Sequence, residues 1–289
     1  MNKENLKNKI YSKIDELPTL PSVIPELLNL MENVNSKTSD IKDAISRDPS
    51  LTSKILKVAN SAYYGFPQEI SDLERAVALL GFNMVRSLAL SIGVLHSLPA
   101  DNKSSSFSQD DLWMHSLIVA TLVKELGVKF GKGNNYEYLF IIGLLHDIGM
   151  IVLSQFFNES FVQIMEEVQK PGSARLYTVE RKILGADHGE VGAMLLHRWK
   201  FPDLISRPIA VHHYEKTPEG TNPDDAAMLR IADSLAHIID DEEENDHALN
   251  NIHDADLKIL GIDGNGLNDM QEYLFRSMDG VMAFFNAMT

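Results

Sequence analysis

Seven side chains in the second half of the sequence are of the types that ligate metals or move protons: His115, His146, Asp147, His188, His212, His213 and Asp233. Four of them stand in adjacent pairs, His146-Asp147 and His212-His213. The first pair interrupts an apolar run that extends from Leu139 to Leu153, so a helix there would be largely buried. Burying a carboxylate and an imidazole without partners costs on the order of several kcal/mol, and such a pair is therefore hydrogen-bonded, ion-paired or bound to a metal. Adjacent residues on a helix diverge by about 100 degrees, so each pair can reach two neighbouring metals or straddle one. The sequence has no cysteine, which excludes disulfides, thiolate metal sites and a cysteine nucleophile. Any metal must be held by nitrogen and oxygen, a donor set that suits iron, manganese or zinc.

Helices must carry these side chains. Apolar residues recur at helical spacing, and alternating β-branched runs between tight turns are missing, so the predicted fold class is all-α. Leu6, Ile10, Ile14 and Leu17 mark a first amphipathic helix, stopped by Pro18 and Pro21, and Val23 to Val34 is a second. Asp48-Pro49 is a helix start, with Asp48 as N-cap and the proline at the first helical position. Ser71 to Glu74 reads as a capping box, Gly81 closes the short helix it begins, and an apolar helix from Met84 to Leu98 follows. Ser108 to Asp111 opens the helix of Trp113 and His115, and a turn at Gly131 to Asn135 separates it from the helix of His146-Asp147. Pro171-Gly172 closes the next helix, Ala174 to Leu184 forms another, and Asp187 to Glu190 is a second capping-box pattern. Pro202 starts the helix expected to carry His212-His213, and a further helix holds Met228, Ile231, Asp233 and Leu235.

A length of 289 residues suggests about two subdomains. The serine-rich stretch Pro99 to Ser108 is the clearest linker. It divides an N-terminal helical unit over 1–100 from a unit over 108–240 that holds the candidate ligands, with a C-terminal helical extension over 247–289. Acidic residues outnumber basic ones by 41 to 26, a net charge of −15. Such a surface repels phosphate backbones and anionic lipid, so neither nucleic acid nor a membrane is expected as a partner. The first nine residues carry positive charge but no apolar core follows, so no signal peptide is read there, and no uninterrupted apolar stretch reaches the ~18 residues of a membrane span. A cytoplasmic protein is expected.

Other features carry less chemistry. The two helices meeting at Gly81 have the layout of a helix-turn-helix, but the second offers only Arg86 on an apolar body and reads as a core helix. Asp240 to Asp246 reads as a solvated acidic loop, and Gly261 to Gly266, lacking the ligand spacing of an EF-hand, as a turn before a terminal helix. His96 and His197 read as structural, and His247 and His253 as exposed. His237 falls one helical turn after Asp233, on the same face.

The order His115, His146-Asp147, His188, His212-His213, Asp233 resembles the HD superfamily of metal-dependent phosphohydrolases, in particular its HD-GYP branch with two or three metals. The resemblance implies that all seven residues are metal ligands, with two divalent iron or manganese ions, or zinc, per site. It favours Asp233 over His237, and it makes Asp147 with a metal-bound water the candidate catalytic group. Asp111, one turn before His115, falls where trinuclear members carry an extra carboxylate; it is also what a helix start favours electrostatically. Leu17 to Pro21, Asp48 to Gly65, Ala76 to Arg86 and Gly192 to Pro202, with the histidine pair after them, resemble the HDOD family, the HD-related output domain of bacterial signalling proteins, over about residues 15 to 240. That resemblance implies an N-terminal helical bundle packed against an HD-like helical bundle. It also implies a regulatory role, with a protein partner in a signalling pathway or a small nucleotide or phosphate ligand.

The sequence departs from the hydrolase pattern at two places. HD-GYP enzymes follow His-Asp-Ile-Gly with a lysine whose ammonium can stabilise phosphate charge, and this position is Met150. The Gly-Tyr-Pro motif is replaced after the histidine pair by Tyr214 to Gly220, Tyr-Glu-Lys-Thr-Pro-Glu-Gly. Both departures argue against cleavage of cyclic diguanylate. Lys216 or Arg230 would have to supply a phosphate contact, and both read as surface charges. The expected function is a metal-binding regulatory module; the alternative is a metal-dependent phosphohydrolase acting on a nucleotide or phosphodiester.

Overall fold

The computed structural model describes residues 3–17, 19–32, 37–98, 107–131, 136–170, 172–240 and 252–288. Among them are sixteen helices and no strand, so the chain is all-α. The first six are α1 (Lys3–Ile14), α2 (Val23–Glu32), α3 (Thr38–Ser46), α4 (Pro49–Ala59), α5 (Leu73–Leu80) and α6 (Phe82–Leu95). Then come α7 (Gln109–Phe130), α8 (Glu137–Leu145), α9 (Ile148–Phe156), α10 (Asn158–Val168), α11 (Leu176–Ile183), α12 (His188–Arg198), α13 (Asp203–Ala210) and α14 (Pro223–Asp240). The chain closes with α15 (Asp254–Leu260) and α16 (Gly264–Met288). Most of the linker Pro99 to Ser108, most of the turn after Gly131, the acidic run beyond Asp240 and His247 lie outside the described residues.

Local signals set many of the helix starts. Asp48 accepts the Leu51 amide at 3.0 Å ahead of Pro49. Asp187 and Glu190 form the reciprocal box at the head of α12, each side chain holding the other's backbone N–H. The box read at Ser71 shifts by one residue: Asp72 is the cap and accepts the Arg75 amide, while Ser71 donates to the Asp72 carboxylate. Gly81, at φ +84, ends α5 and turns the chain through 116° into α6. A β-carbon disfavours that backbone conformation. Every residue of α6 from Met84 to Val94 is buried, so this is a core helix with no face left to enter a DNA groove.

Two expectations change at the site. The apolar run from Leu139 to Leu153 is two helices, α8 and α9, and His146 and Asp147 form the joint between them. Asp147 sits at φ −100, ψ 9, off the helical basin, and its carbonyl accepts the Met150 amide in a tight turn. His212-His213 likewise follows α13 rather than riding on it. At both points the pair stands at a helix end, where the backbone departs from the regular 100-degree step.

The 20-residue segment Glu137–Phe156 is long and apolar enough to cross a membrane, but 89% of its apolar window is buried inside the protein. It forms the middle of the bundle, enclosed by α6, α7, α12, α13 and α14. At Gly149 the backbones of α9 and α12 touch: a β-carbon there would stand 2.7 Å from the Gly192 nitrogen and closer still to the His188 carbonyl oxygen. This contact fixes His188 beside Asp147. The last helix, α16, lies across α4 and α7. Phe284 meets Tyr63 and Phe140, with ring centroids 5.2 and 5.8 Å apart, and Lys57 donates to the Asn286 carbonyl at 3.0 Å.

Candidate metal centre

α7 brings His115, the α8–α9 joint brings His146 and Asp147, and the start of α12 brings His188. The turn after α13 brings His212 and His213, and α14 brings Asp233. All seven meet at the centre of the helical bundle. Their potential ligand atoms fall into overlapping sets, each within 4.8 Å: Asp147, His188, His212 and His213; His115, His146 and Asp147; His146, His212 and Asp233. Asp147, His146 and His212 each belong to two of these sets, which ties the three sets into one cluster.

Outward hydrogen bonds orient the imidazoles. His146 donates from Nδ1 to the Gly143 carbonyl at 2.7 Å, and His212 from Nδ1 to the Ile209 carbonyl at 2.6 Å. His188 donates from Nδ1 to the Glu180 carboxylate at 2.7 Å, and the same carboxylate accepts the His188 amide at 3.0 Å. With the proton on Nδ1, each Nε2 of a neutral ring is an acceptor only. These Nε2 atoms face another acceptor, Asp147 Oδ1, at 3.3 Å from His146, 3.1 Å from His188 and 3.6 Å from His212. His146 Nε2, His212 Nε2 and Asp147 Oδ1 are buried without a hydrogen-bond partner. Lone pairs turned toward one another in a water-poor interior repel unless a proton or cation lies among them. The residues present therefore fit a metal cation.

Electrostatics carry the same information. Burial opposes charge on His146, yet the Asp147 and Asp233 carboxylates outweigh it and push the imidazole up to about 9. Burial likewise opposes charge on His188, and Glu180 and Asp147 raise it well above the ordinary histidine range. Burial would raise the Asp147 carboxyl, but His146 and His188 hold it well below the usual range; Asp233 is held down against its own burial by His115, His146 and His237. His213 goes the other way, depressed by burial and by the neighbouring His212 and His188. Without a metal, protons on His146 and His188 supply the positive charge that the carboxylates demand.

His115 Nε2 reaches Asp233 Oδ1 at 3.1 Å. Asp111 is exposed and lines the mouth of the adjoining cleft, outside the converging sets. His237, set aside on sequence grounds in favour of Asp233, lies close by: its ring stacks on His115 with centroids 4.8 Å apart, its Nε2 is 3.8 Å from Asp233 Oδ1, and the three residues form a fourth set. Its place one turn after Asp233 was the signal. The sequence reading missed Glu180, which is fully buried beneath His188, and Tyr177, whose ring stacks on His213 at 4.5 Å. Arg230 is not a surface charge. It is buried in a two-pronged pair with Asp256, at 2.8 and 2.5 Å. Lys216 is exposed and lines no part of the cleft. His96 donates from its ring to Ile92 and touches Lys54, and His253 caps α15 at the surface.

Five of the seven, His115, Asp147, His188, His213 and Asp233, line an open cleft of about 690 Å³, while His146 and His212 are buried behind it. The cleft is also lined by the apolar Phe107, Leu112, Met150, Val168 and Leu176 and by Arg175, Tyr177, Ser234 and His237. Met150 contributes a thioether where a phosphate-binding enzyme of the resembling branch has an ammonium.

Comparison with known proteins bears on the family and the fold. The model of the HDOD domain matches residues 17–215. An uncharacterized protein of Treponema pallidum is 28% identical over 208 residues, 72% of this chain and 40% of that protein. Bacillus subtilis YuxH is 31% identical over 116 residues, 40% of this chain and 27% of YuxH. The chain thus matches less than half the length of these curated relatives. Among solved structures, one from Shewanella amazonensis described as a candidate phosphohydrolase is 28% identical, with a TM-score of 0.77 over 97% of this chain and 98% of that one. An HDOD domain protein of unknown function from Geobacter sulfurreducens shares the fold at 23% identity, with a TM-score of 0.77 over 99% and 97% of the two chains.

Proposed function

Because the chain belongs to the HDOD family, we propose that it is a metal-binding regulatory module of the cytoplasm, whose helical shell passes the state of its buried centre to a protein partner. The observation that carries this reading is the set of inward-facing atoms His146 Nε2, His212 Nε2 and Asp147 Oδ1, which are buried without a hydrogen-bond partner and are satisfied only by positive charge placed among them. His115, His146, Asp147, His188, His212, His213 and Asp233 would hold two divalent ions, iron or manganese before zinc. Ions held there would supply Lewis-acid polarisation to a bound phosphoryl group. Glu180 fixes the tautomer of His188, and the backbone carbonyls of Gly143 and Ile209 fix those of His146 and His212. The acidic surface favours partners with basic faces over nucleic acid or membrane.

A second reading, a metal-dependent phosphohydrolase, is supported by the cleft that opens directly onto the cluster and by the likeness to the Shewanella structure. Met150 and the burial of Arg230 weigh against it, since neither presents a charge to a phosphate. Turnover of p-nitrophenyl phosphate and bis(p-nitrophenyl) phosphate by manganese-loaded protein separates the two. The regulatory reading expects no metal-dependent release above background. Turnover that is abolished in Asp147→Ala would establish the hydrolase instead.

A further inference from the structure

Two of the elements that carry candidate ligands are joined a second time, by residues outside the ligand set. Arg230 stands three residues before Asp233 on α14, just under one helical turn. Its guanidinium donates from Nε and Nη2 to the two carboxylate oxygens of Asp256, at 2.8 and 2.5 Å, and from Nη2 to the Thr217 hydroxyl at 3.2 Å. Thr217 lies in the non-helical segment that leads away from the histidine pair, four residues after His213. One guanidinium therefore ties the carrier of Asp233 to the carrier of His212 and His213. The carboxylate that holds this guanidinium comes from elsewhere: Asp256 is on α15, beyond the residues 17–215 matched by the family model.

Arg230 and Asp256 are both buried, and of the seven residues of α15 only Asp256 and Leu260 are. Apolar burial is non-directional, so Leu260 alone does not fix how this short helix sits. A two-pronged guanidinium–carboxylate pair does, because its planar fork accepts one geometry. Fixing register is also the best-attested use of a buried ion pair, and loss of one member leaves an uncompensated buried charge. We infer that Asp256 is a positioning residue for the metal centre. Through Arg230 it holds α14 and the segment after His213 in the one arrangement that brings Asp233, His212 and His213 together, which makes the C-terminal helix α15 a working part of the site. This rests on the metal reading above.

The test measures manganese affinity by competition against a fluorescent chelator, and melting temperature with and without manganese, on the full chain. Asp256→Asn keeps the shape and removes the charge; it is expected to bind manganese about tenfold more weakly and to gain less in melting temperature from the metal. Asp256→Glu, which restores a carboxylate, should recover part of both. Thr217→Val, an isosteric change at a half-buried residue, removes only the bond to the histidine-pair segment and should weaken manganese binding about three- to fivefold. Ile45→Ala opens a cavity in α3, which packs on α2, α4, α5 and α6; it should melt lower than the parent yet bind manganese as the parent does. Parent-like manganese affinity in Asp256→Asn, or in Thr217→Val should Asp256→Asn not fold, reduces the pair to a structural role and overturns the assignment. A parent protein that takes up no manganese overturns the metal reading itself, and this inference with it.

Discussion

At the scale of single residues, the centre depends on groups that touch no metal. Glu180 is buried beneath His188 and holds its Nδ1 proton, so its carboxylate sets which nitrogen faces inward. Glu180→Gln keeps the shape but weakens that hold; metal affinity should fall roughly 10- to 100-fold while the circular dichroism stays helical, as competition against a fluorescent chelator would show. Asp225 tests the electrostatics away from the centre. Its burial raises the carboxyl to about 6, although Tyr138 donates to it at 2.9 Å. The unfolded carboxyl titrates near 3.8, so the folded state binds the proton more tightly and stability falls as pH rises from about 3.8 to about 6. Asp225→Asn retains an acceptor for Tyr138 and removes that penalty. Its melting temperature should exceed the parent's by roughly 2–4 °C at pH 7, with the gain vanishing toward pH 4. The seven ligand candidates were legible in the sequence because their types, order and adjacency are unusual in an apolar setting. Glu180 was not, since a glutamate on a short amphipathic helix looks like any solvated one. Arg230 was misjudged for the same reason: its partner Asp256 is distant in sequence, and nothing local marks the pair.

At the scale of elements, the ends of helices were easier to read than their breaks. The caps at Asp48, Ser108 and Asp187 follow from a side chain reaching its own next turn, which is local chemistry. The break between α8 and α9 leaves no such mark, because the residues on both sides are apolar and the turn is made in the backbone of Asp147. Helix α3 went unread, since its nine residues carry only a few apolar positions. The contact of α9 with α12 at Gly149 makes the sharpest element-scale prediction. Gly149→Ala drives a methyl group into backbone atoms on both His188 and Gly192, so the two helices must separate. The variant should lose about 2 kcal/mol or more in chemical denaturation, as overpacked cores do, and bind metal more weakly. Gly264→Ala, where an added methyl group meets no atom within 4 Å, should change neither quantity.

At the scale of the whole molecule, the centre ties together elements far apart in sequence: α7, the α8–α9 joint, α12, the turn after α13 and α14. A cation that binds only the folded chain stabilises it by mass action, about 2.7 kcal/mol at a hundredfold excess over the dissociation constant. For a chain of this size the melting temperature should rise by roughly 5–10 °C with manganese, and the rise should be absent in His146→Ala. The all-helical class was legible from apolar periodicity throughout. The clasp of α16 over α4 and α7 was not, since no local pattern states which distant helices a terminal helix will cover. The most direct test of the account is elemental analysis of the chain expressed without a histidine tag and purified without chelator, beside His146→Ala. About two equivalents of iron, manganese or zinc per chain, lost in the variant, is the expected result. Less than about a tenth of an equivalent, unchanged by the substitution, would contradict it, because the buried acceptor atoms would then be satisfied by protons alone.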